Sequence, residues 1–510
     1  MDDKIIVTNG AALTAKYGRA GMVKIRAVVA KLVAADGKRG IKTRVVNLDV
    51  AGAMKRFGGR AVTDRTSARQ NKEAIDAICK RSNPDYLMIL GAADVVPHQD
   101  MANPVFDASD DPDRYAYGDL PYACDAPYSR DVAAFKGPTR VVGRLPDLAG
   151  ATEPSHLLAL LESSAKHTSR PVTDYGAYFG LSTQSWRKST TLSLFNVFGN
   201  SGALTLSPPA GPAHPAARLT PLAHFINCHG GQADPAFYGE QGRTLPIALT
   251  SETIAGRIKA GTVAAVECCY GAELYDSVTL ALPMPICQQY LAQGACGYFG
   301  SSTIAYGPAE GNGAADLITQ YFLLAVLDGA SVGRAALLAR QRFVQQTAEL
   351  DPIDLKTLAQ FSLLGDPSLH PATVASPTDV PKGVDAAGVG RQQRHERRAR
   401  LRVMGAFLQE SKPAARRSTR ARRSPTVQKA LASIARDAGL GAGKAFMAFD
   451  VRVPPAARAR GIKAATVATR YYVAIGTPRG RPREGLNPGV AAVAKEVGGR
   501  IVGYRIYAQK

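Results

Sequence analysis

The 510-residue chain lacks any uninterrupted apolar run near the ~18 residues that a membrane-spanning helix needs. An ordinary bilayer-crossing segment is thereby excluded. Met1-Asp2-Asp3-Lys4-Ile5-Ile6-Val7 opens on acid and offers only a short apolar stretch, so no secretory leader is expected. Cysteine is scarce: seven residues, an odd number, with no Cys-x-x-Cys and no framework spacing. That argues against a disulfide-stapled secreted domain and for reduced thiols in a cytoplasmic setting. Acidic residues are in deficit, 42 Asp and Glu against 63 Lys and Arg, for a formal net charge of +21. Much of the surplus lies between Arg391 and Arg423, where a dozen basic residues face only Glu396 and Glu410. Phe407 is the single aromatic in that tract, which speaks against base stacking on single-stranded nucleic acid.

What the chain does contain is enough apolar residue for a sizeable core, 45% of the total. Its length predicts about three domains. Short apolar runs alternate with helical patterns. Strands are expected at Ile5–Thr8, Arg44–Leu48, Tyr86–Leu90 and Thr139–Gly143, with helices over Ala27–Ala35 and Asn71–Lys80. The pattern then begins again, with strands at Tyr175–Leu181, Ala223–Asn227 and Thr262–Val266. Helices are expected over Leu192–Phe198, Thr253–Lys259, Ala314–Leu327 and Gly333–Glu349. This alternation predicts an α/β fold built on parallel sheets covered on both faces.

The predicted division is 1–165, a first α/β unit; 166–375, a second; 376–425, a basic Pro/Gly/Arg-rich linker; and 426–510, a small α/β domain of unassigned role. The last is expected to hold helices over Val427–Ala438 and Gly489–Val497 and strands over Ala445–Val453, Arg470–Ile475 and Ile501–Tyr507.

In an open α/β sheet, functional groups gather at the carboxyl ends of strands. Two such ends carry unusual residues: Cys228-His229-Gly230-Gly231 and Glu267-Cys268-Cys269-Tyr270-Gly271. If those strands are neighbours, an imidazole and a thiol share one crevice. A thiol becomes a strong nucleophile when an imidazole takes its proton. The amides of Gly230 and Cys269 could then hold an oxyanion. Zinc held by Cys228, His229, Cys268 and Cys269 is an alternative, although adjacent ligands would have to bend sharply. Cys79, Cys124, Cys287 and Cys296 read as buried small hydrophobes.

The two motifs resemble those of the caspase–gingipain clan of cysteine peptidases, with Cys269 in the nucleophile position, His229 as its partner and Cys268 in the small-residue position. Flanking text is similar to the gingipain-like family: Tyr86–Gly91 with Pro97, Val142-Gly143-Arg144-Leu145-Pro146, and Leu364-Gly365-Asp366-Pro367-Ser368-Leu369. The resemblance covers about Lys4 to Pro371. It implies two caspase-like subdomains, the second catalytic, and a thiol endopeptidase with Glu267, Cys268 and Gly271 as supporting residues. The family's Glu and Asp after the first strand of the catalytic subdomain have no counterpart, since Tyr175–Leu204 contains no acid. The third catalytic member is therefore unassigned, and Arg/Lys specificity is not implied.

Gly143-Arg144 and Gly365-Asp366-Pro367-Ser368 read as turns. Asp110-Asp111-Pro112-Asp113 reads as a solvated acidic loop, with a structural calcium as the alternative; no other cofactor is expected. The basic tract reads as a solvated tether, as a site for nucleic acid or another polyanion, or as a cleavage site. The expected partner is a protein or peptide substrate. A catalytically silent module, binding a partner through the basic C-terminal region, is the competing class.

Overall fold

The computed structural model describes residues 2–374, 386–418, 423–452, 469–478, 486 and 488–510. Its centre is one ten-stranded sheet flanked by helices. Named by first residue, the strands run in the order Thr43, Lys4, Tyr86, Val142, Phe361, Gly297, Val263, Ala223, Tyr178, Leu204. The strands Lys4–Thr8, Tyr86–Leu90, Val263–Val266 and Ala223–Asn227 are buried throughout, as a sheet covered on both faces requires. The α/β expectation holds, and most expected elements stand within a few residues of their places.

The strand that joins the two halves has no expectation behind it. Phe361–Leu364 runs antiparallel to Gly297–Ser301 and touches Val142–Leu145 through the Leu364–Arg144 pair. The two flanking motifs secure this seam. Arg144 is fully buried and grips Asp119 through two nitrogens, at 2.9 and 2.6 Å, while also donating to the carbonyls of Gly91 and Val96. Asp366 binds the buried Lys4 ammonium and accepts from the Ser368 amide. Gly365 takes φ +136° with the Cys296 carbonyl oxygen 2.8 Å from where a Cβ would stand, so a side chain is not admitted. The Gly-Arg and Gly-Asp-Pro-Ser segments are thus internal fasteners.

A second sheet carries the C-terminal part. Its antiparallel order is Tyr306–Gly307, Arg500–Gln509, Val490–Val497, Thr469–Gly476, Met447–Arg452 and Ala414–Arg417. The helix Pro425–Asp437 packs Val427, Leu431 and Ile434 on one face of it. Of residues Gly489–Val497, expected as a helix, Val490–Val497 form a strand. Ala492 and Ala494 face that helix, whereas Ala491 and Val493 join the core of the large unit. That two-residue alternation overrides helix propensity. Thr253–Lys259, also expected as a helix, is a run of turns broken at Gly256, whose φ is +70°.

The basic tract is not an open tether where it is described. Residues Ala386–Ser411 form a helix, and Gly405 brings its backbone against Pro138. Arg398 pairs with Asp85 at 3.3 Å, Arg402 with Asp125 at 3.6 Å, and Arg416 with Asp131 at 2.9 Å. The Pro/Gly-rich stretch 375–385 and the tract's residues 419–422 lie outside the described residues, as does Val453. All seven cysteines are free and buried. Among the described residues no helix is long and apolar enough to cross a membrane.

Burial alone would raise the Asp119 carboxyl, but Arg144, aided by His98, holds it well below the usual carboxylate range. Removing the cation strands that charge in the core. Arg144→Met should cost about 3–5 kcal/mol in urea unfolding. A loss under about 1 kcal/mol, the scale of an exposed pair, would show that the fastener contributes little.

Candidate active site

The two motif-bearing strands are neighbours. Ala223–Asn227 and Val263–Val266 pair in parallel, Ala223 with Val263 through Ile226 with Val266. Their carboxyl ends therefore open side by side, and His229-Gly230 meets Cys268-Cys269. The contact is close: a Cβ on Gly230 would lie 2.0 Å from the Cys269 carbonyl oxygen. Glycine follows the histidine because the second loop occupies that space.

After Gly230 the chain folds into a small antiparallel sheet, His229–Gly230 with Ala236–Tyr238 and Ile247–Thr250. This returns Glu240 to the histidine, with His229 Nε2 3.1 Å from Glu240 Oε2. The Glu240 backbone is itself pinned, donating to Ser207 and accepting from Gln184. The Trp186 ring stands edge-on to the imidazole, 4.4 Å between centroids. Both members of the pair are buried. The reach of Ala233, at φ +50°, is held by Glu273, whose carboxylate accepts its amide at 2.7 Å.

Cys269 is 4% exposed. Its Sγ accepts from the Ala305 amide at 3.2 Å, and the thiol faces the Ala305 carbonyl at 3.5 Å. Burial pushes this thiol up to about 12, with the Ala305 amide opposing. Tyr270 follows with φ +54°, an uncommon conformation for a large residue. It is fixed by its amide on the Thr303 carbonyl and its hydroxyl on Asp113. Gly271 closes the turn on the Cys268 carbonyl.

The amides of Cys269 and Gly230 point at one acceptor, the main-chain oxygen of Lys510, at 2.8 and 3.5 Å. The Lys510 side chain enters a closed pocket. Its Nζ lies 3.1 Å from Asp316 Oδ1, 3.2 Å from Glu267 Oε2 and 4.6 Å from the Trp186 ring centre. Glu267 is raised well above the usual carboxylate range by burial and by Asp316, with Lys510 opposing.

Cys228 and Cys268 turn away from this crevice, with the Cys228 amide 3.4 Å from Cys268 Sγ inside the core. Among the described residues no group of three His, Cys, Asp or Glu side chains has an arrangement suited to a metal. The acidic loop is engaged by protein. Asp111 pairs with Lys356 and Tyr306, Asp113 takes Tyr270 and the Ile304 amide, and Asp110 takes Lys444. A cavity of about 1460 Å³, lined by Arg39, His167, Arg342 and His370 among others, includes no residue of the two motifs.

Sequence reasoning missed Glu240, Asp316 and Trp186. Two carried a signal. Asp316 is the one charge in the otherwise uncharged helix Ala315–Leu327, and Trp186 is the only tryptophan.

No protein-family model matches this chain, and no curated protein matches it. It is similar to a solved structure described as "Structure of Protease", with a TM-score of 0.47 and 12% identity, over 99% of this chain and 96% of that one.

Glu273 supplies a pH test of the loop. Burial raises its carboxyl to about 7 from an ordinary 4.5. The folded form thus holds its proton more tightly than the unfolded one. The resulting stabilisation is whole below pH 4.5 and is lost as pH rises through 7. Glu273→Gln should remove that slope, so the variant gains on wild type by roughly 2–3 kcal/mol between pH 4.5 and 8. Urea midpoints of the two that run parallel across this range would refute the assignment.

Proposed function

We propose that this chain is a cysteine endopeptidase of the gingipain-like kind. One observation carries the reading: beside Cys269, two backbone amides converge on a single main-chain oxygen, that of Lys510, with a buried His–Glu pair next door. Amides aimed at one oxygen are the requirement for stabilising a tetrahedral intermediate.

In the proposed reaction Cys269 Sγ attacks the scissile carbonyl carbon and its proton passes to His229. The carbonyl oxygen gains the negative charge and is held by the Gly230 and Cys269 amides. Collapse breaks the C–N bond, and His229 returns the proton to the departing amine. Water then attacks the thioester, losing a proton to His229, and the carboxylic product and the thiol are released. Glu240 is a positioning residue: it fixes the imidazole and stabilises its cationic form. It fills the third place that the 175–204 segment left vacant. Free cysteines suit a reducing compartment such as the cytoplasm. The competing polyanion-binding reading is weakened by the arginines already paired within the chain.

A mixed peptide library incubated with the chain and with Cys269→Ala and His229→Ala tests the mechanism. Whatever cleavage the chain shows should disappear in both variants; cleavage surviving in Cys269→Ala would refute it. Glu240→Gln should lower kcat by about 10²-fold, leave KM nearly unchanged and move the acid limb of the pH profile. An unaltered pH profile would remove Glu240 from the mechanism.

A further inference from the structure

The segment Ala508–Lys510 lies where a substrate would lie. Ala508 and Gln509 pair antiparallel with Gly307 and Tyr306, and the Lys510 amide donates to the Ala305 carbonyl at 3.0 Å. Extended peptides bind sheet edges in this way, through main-chain bonds with alternate side chains in pockets. The Lys510 main-chain oxygen takes the two amides beside Cys269, and its side chain fills the pocket of Glu267, Asp316 and Trp186.

That pocket is built for a slender cation. Glu267 and Asp316 are both fully buried, and two desolvated carboxylates at one site repel each other unless a positive charge lies between them. The Trp186 face adds a cation–π contact. Gly307 makes room, since a Cβ there would stand 2.1 Å from Lys510 Cε. The Ser189 hydroxyl orients Asp316 at 2.7 Å. Burial works against the charged Lys510 side chain, yet Asp316 and Glu267 carry its pKa above the ordinary value.

The occupant is firmly held. Gln509 exchanges main-chain and side-chain bonds with Gly489 and donates to the Asp110 carbonyl at 2.7 Å. The strand Arg500–Gln509 is paired along its length with Val490–Val497, and Lys495 ties that strand to Glu349 at 2.7 Å. A segment tethered this way competes with free substrate at high effective concentration.

Resting on the peptidase reading, we infer that the C-terminal strand is a built-in occupant of the substrate cleft. Lys510 stands in the position of the residue cleaved after, in a lysine-reading pocket formed by Glu267, Asp316, Trp186 and Gly307. The C-terminal sheet therefore restrains the enzyme, and the enzyme cuts after lysine once that strand is displaced.

The full chain and its Lys510→Glu variant, which sets a third carboxylate into the pocket, are compared in two assays. The first is iodoacetamide labelling of Cys269, followed by peptide mass. The second is cleavage of acetyl-Tyr-Ala-Gln-X-reporter peptides with X as Lys, Arg or Leu. Cys269 should label at least about tenfold faster in Lys510→Glu, because access no longer waits on local opening. The X = Lys peptide should be cut fastest, and Asp316→Asn added to Lys510→Glu should reduce that preference by about tenfold. Equal labelling rates would overturn the occlusion. Fast labelling with a preference for Leu would overturn the lysine pocket. Fast labelling with no cleavage of any peptide would support occlusion and refute the peptidase reading itself. Lys510→Met keeps the apolar stem and should label at an intermediate rate; if Lys510→Glu fails to fold, a wild-type rate in Lys510→Met overturns the proposal.

Discussion

The site depends on the parallel pairing of Ala223–Asn227 with Val263–Val266. Because both strands end at the same level, His229-Gly230 and Cys268-Cys269 emerge against each other. The contact is so tight that only glycine fits at 230. The two amides then point the same way without further adjustment. Pre-aligned donors cost no reorganisation when charge develops, which is the main advantage of an oxyanion site built from backbone.

Around this crevice the chain places charge where solvent does not reach. Lys4 sits between Asp36 and Asp366, Arg144 on Asp119, Lys356 on Asp111, and Lys510 between Glu267 and Asp316. Buried pairs contribute little net stability, but losing one partner is costly. They thus specify geometry. The first three lock sheet seams and the Asp110–Asp113 loop. The fourth differs, because its cation belongs to a strand of the C-terminal sheet rather than to the pocket's own wall.

The meeting of His229-Gly230 with Cys268-Cys269 was legible because each pair lies directly after an apolar strand, where local sequence announces both the strand and its end. Glu240 was not, because it reaches His229 through a hairpin whose closing pairs span only His229–Gly230 and Ala236–Tyr238. Nor was the seam strand Phe361–Leu364, four residues long and antiparallel in a mostly parallel sheet. The alanine-rich Val490–Val497 read as a helix, since propensity is local while its two-faced burial is a property of the assembled sheets. Asp316 and Glu267 are 49 positions apart, yet the helix Ala315–Leu327 lays one against the other beside Lys510. Such meetings come from topology and leave only indirect marks in the sequence, such as a lone charge in an uncharged helix.

The central claim is that Cys269 forms an acyl-enzyme. It is tested most directly by mixing the Lys510→Glu chain with excess acetyl-Tyr-Ala-Gln-Lys ester, quenching in acid, and weighing the intact protein. A mass increase of one acyl-peptide, mapping to Cys269 and lost in the added His229→Ala variant, is the predicted result. An unchanged mass, or an adduct on any other residue, would contradict the account.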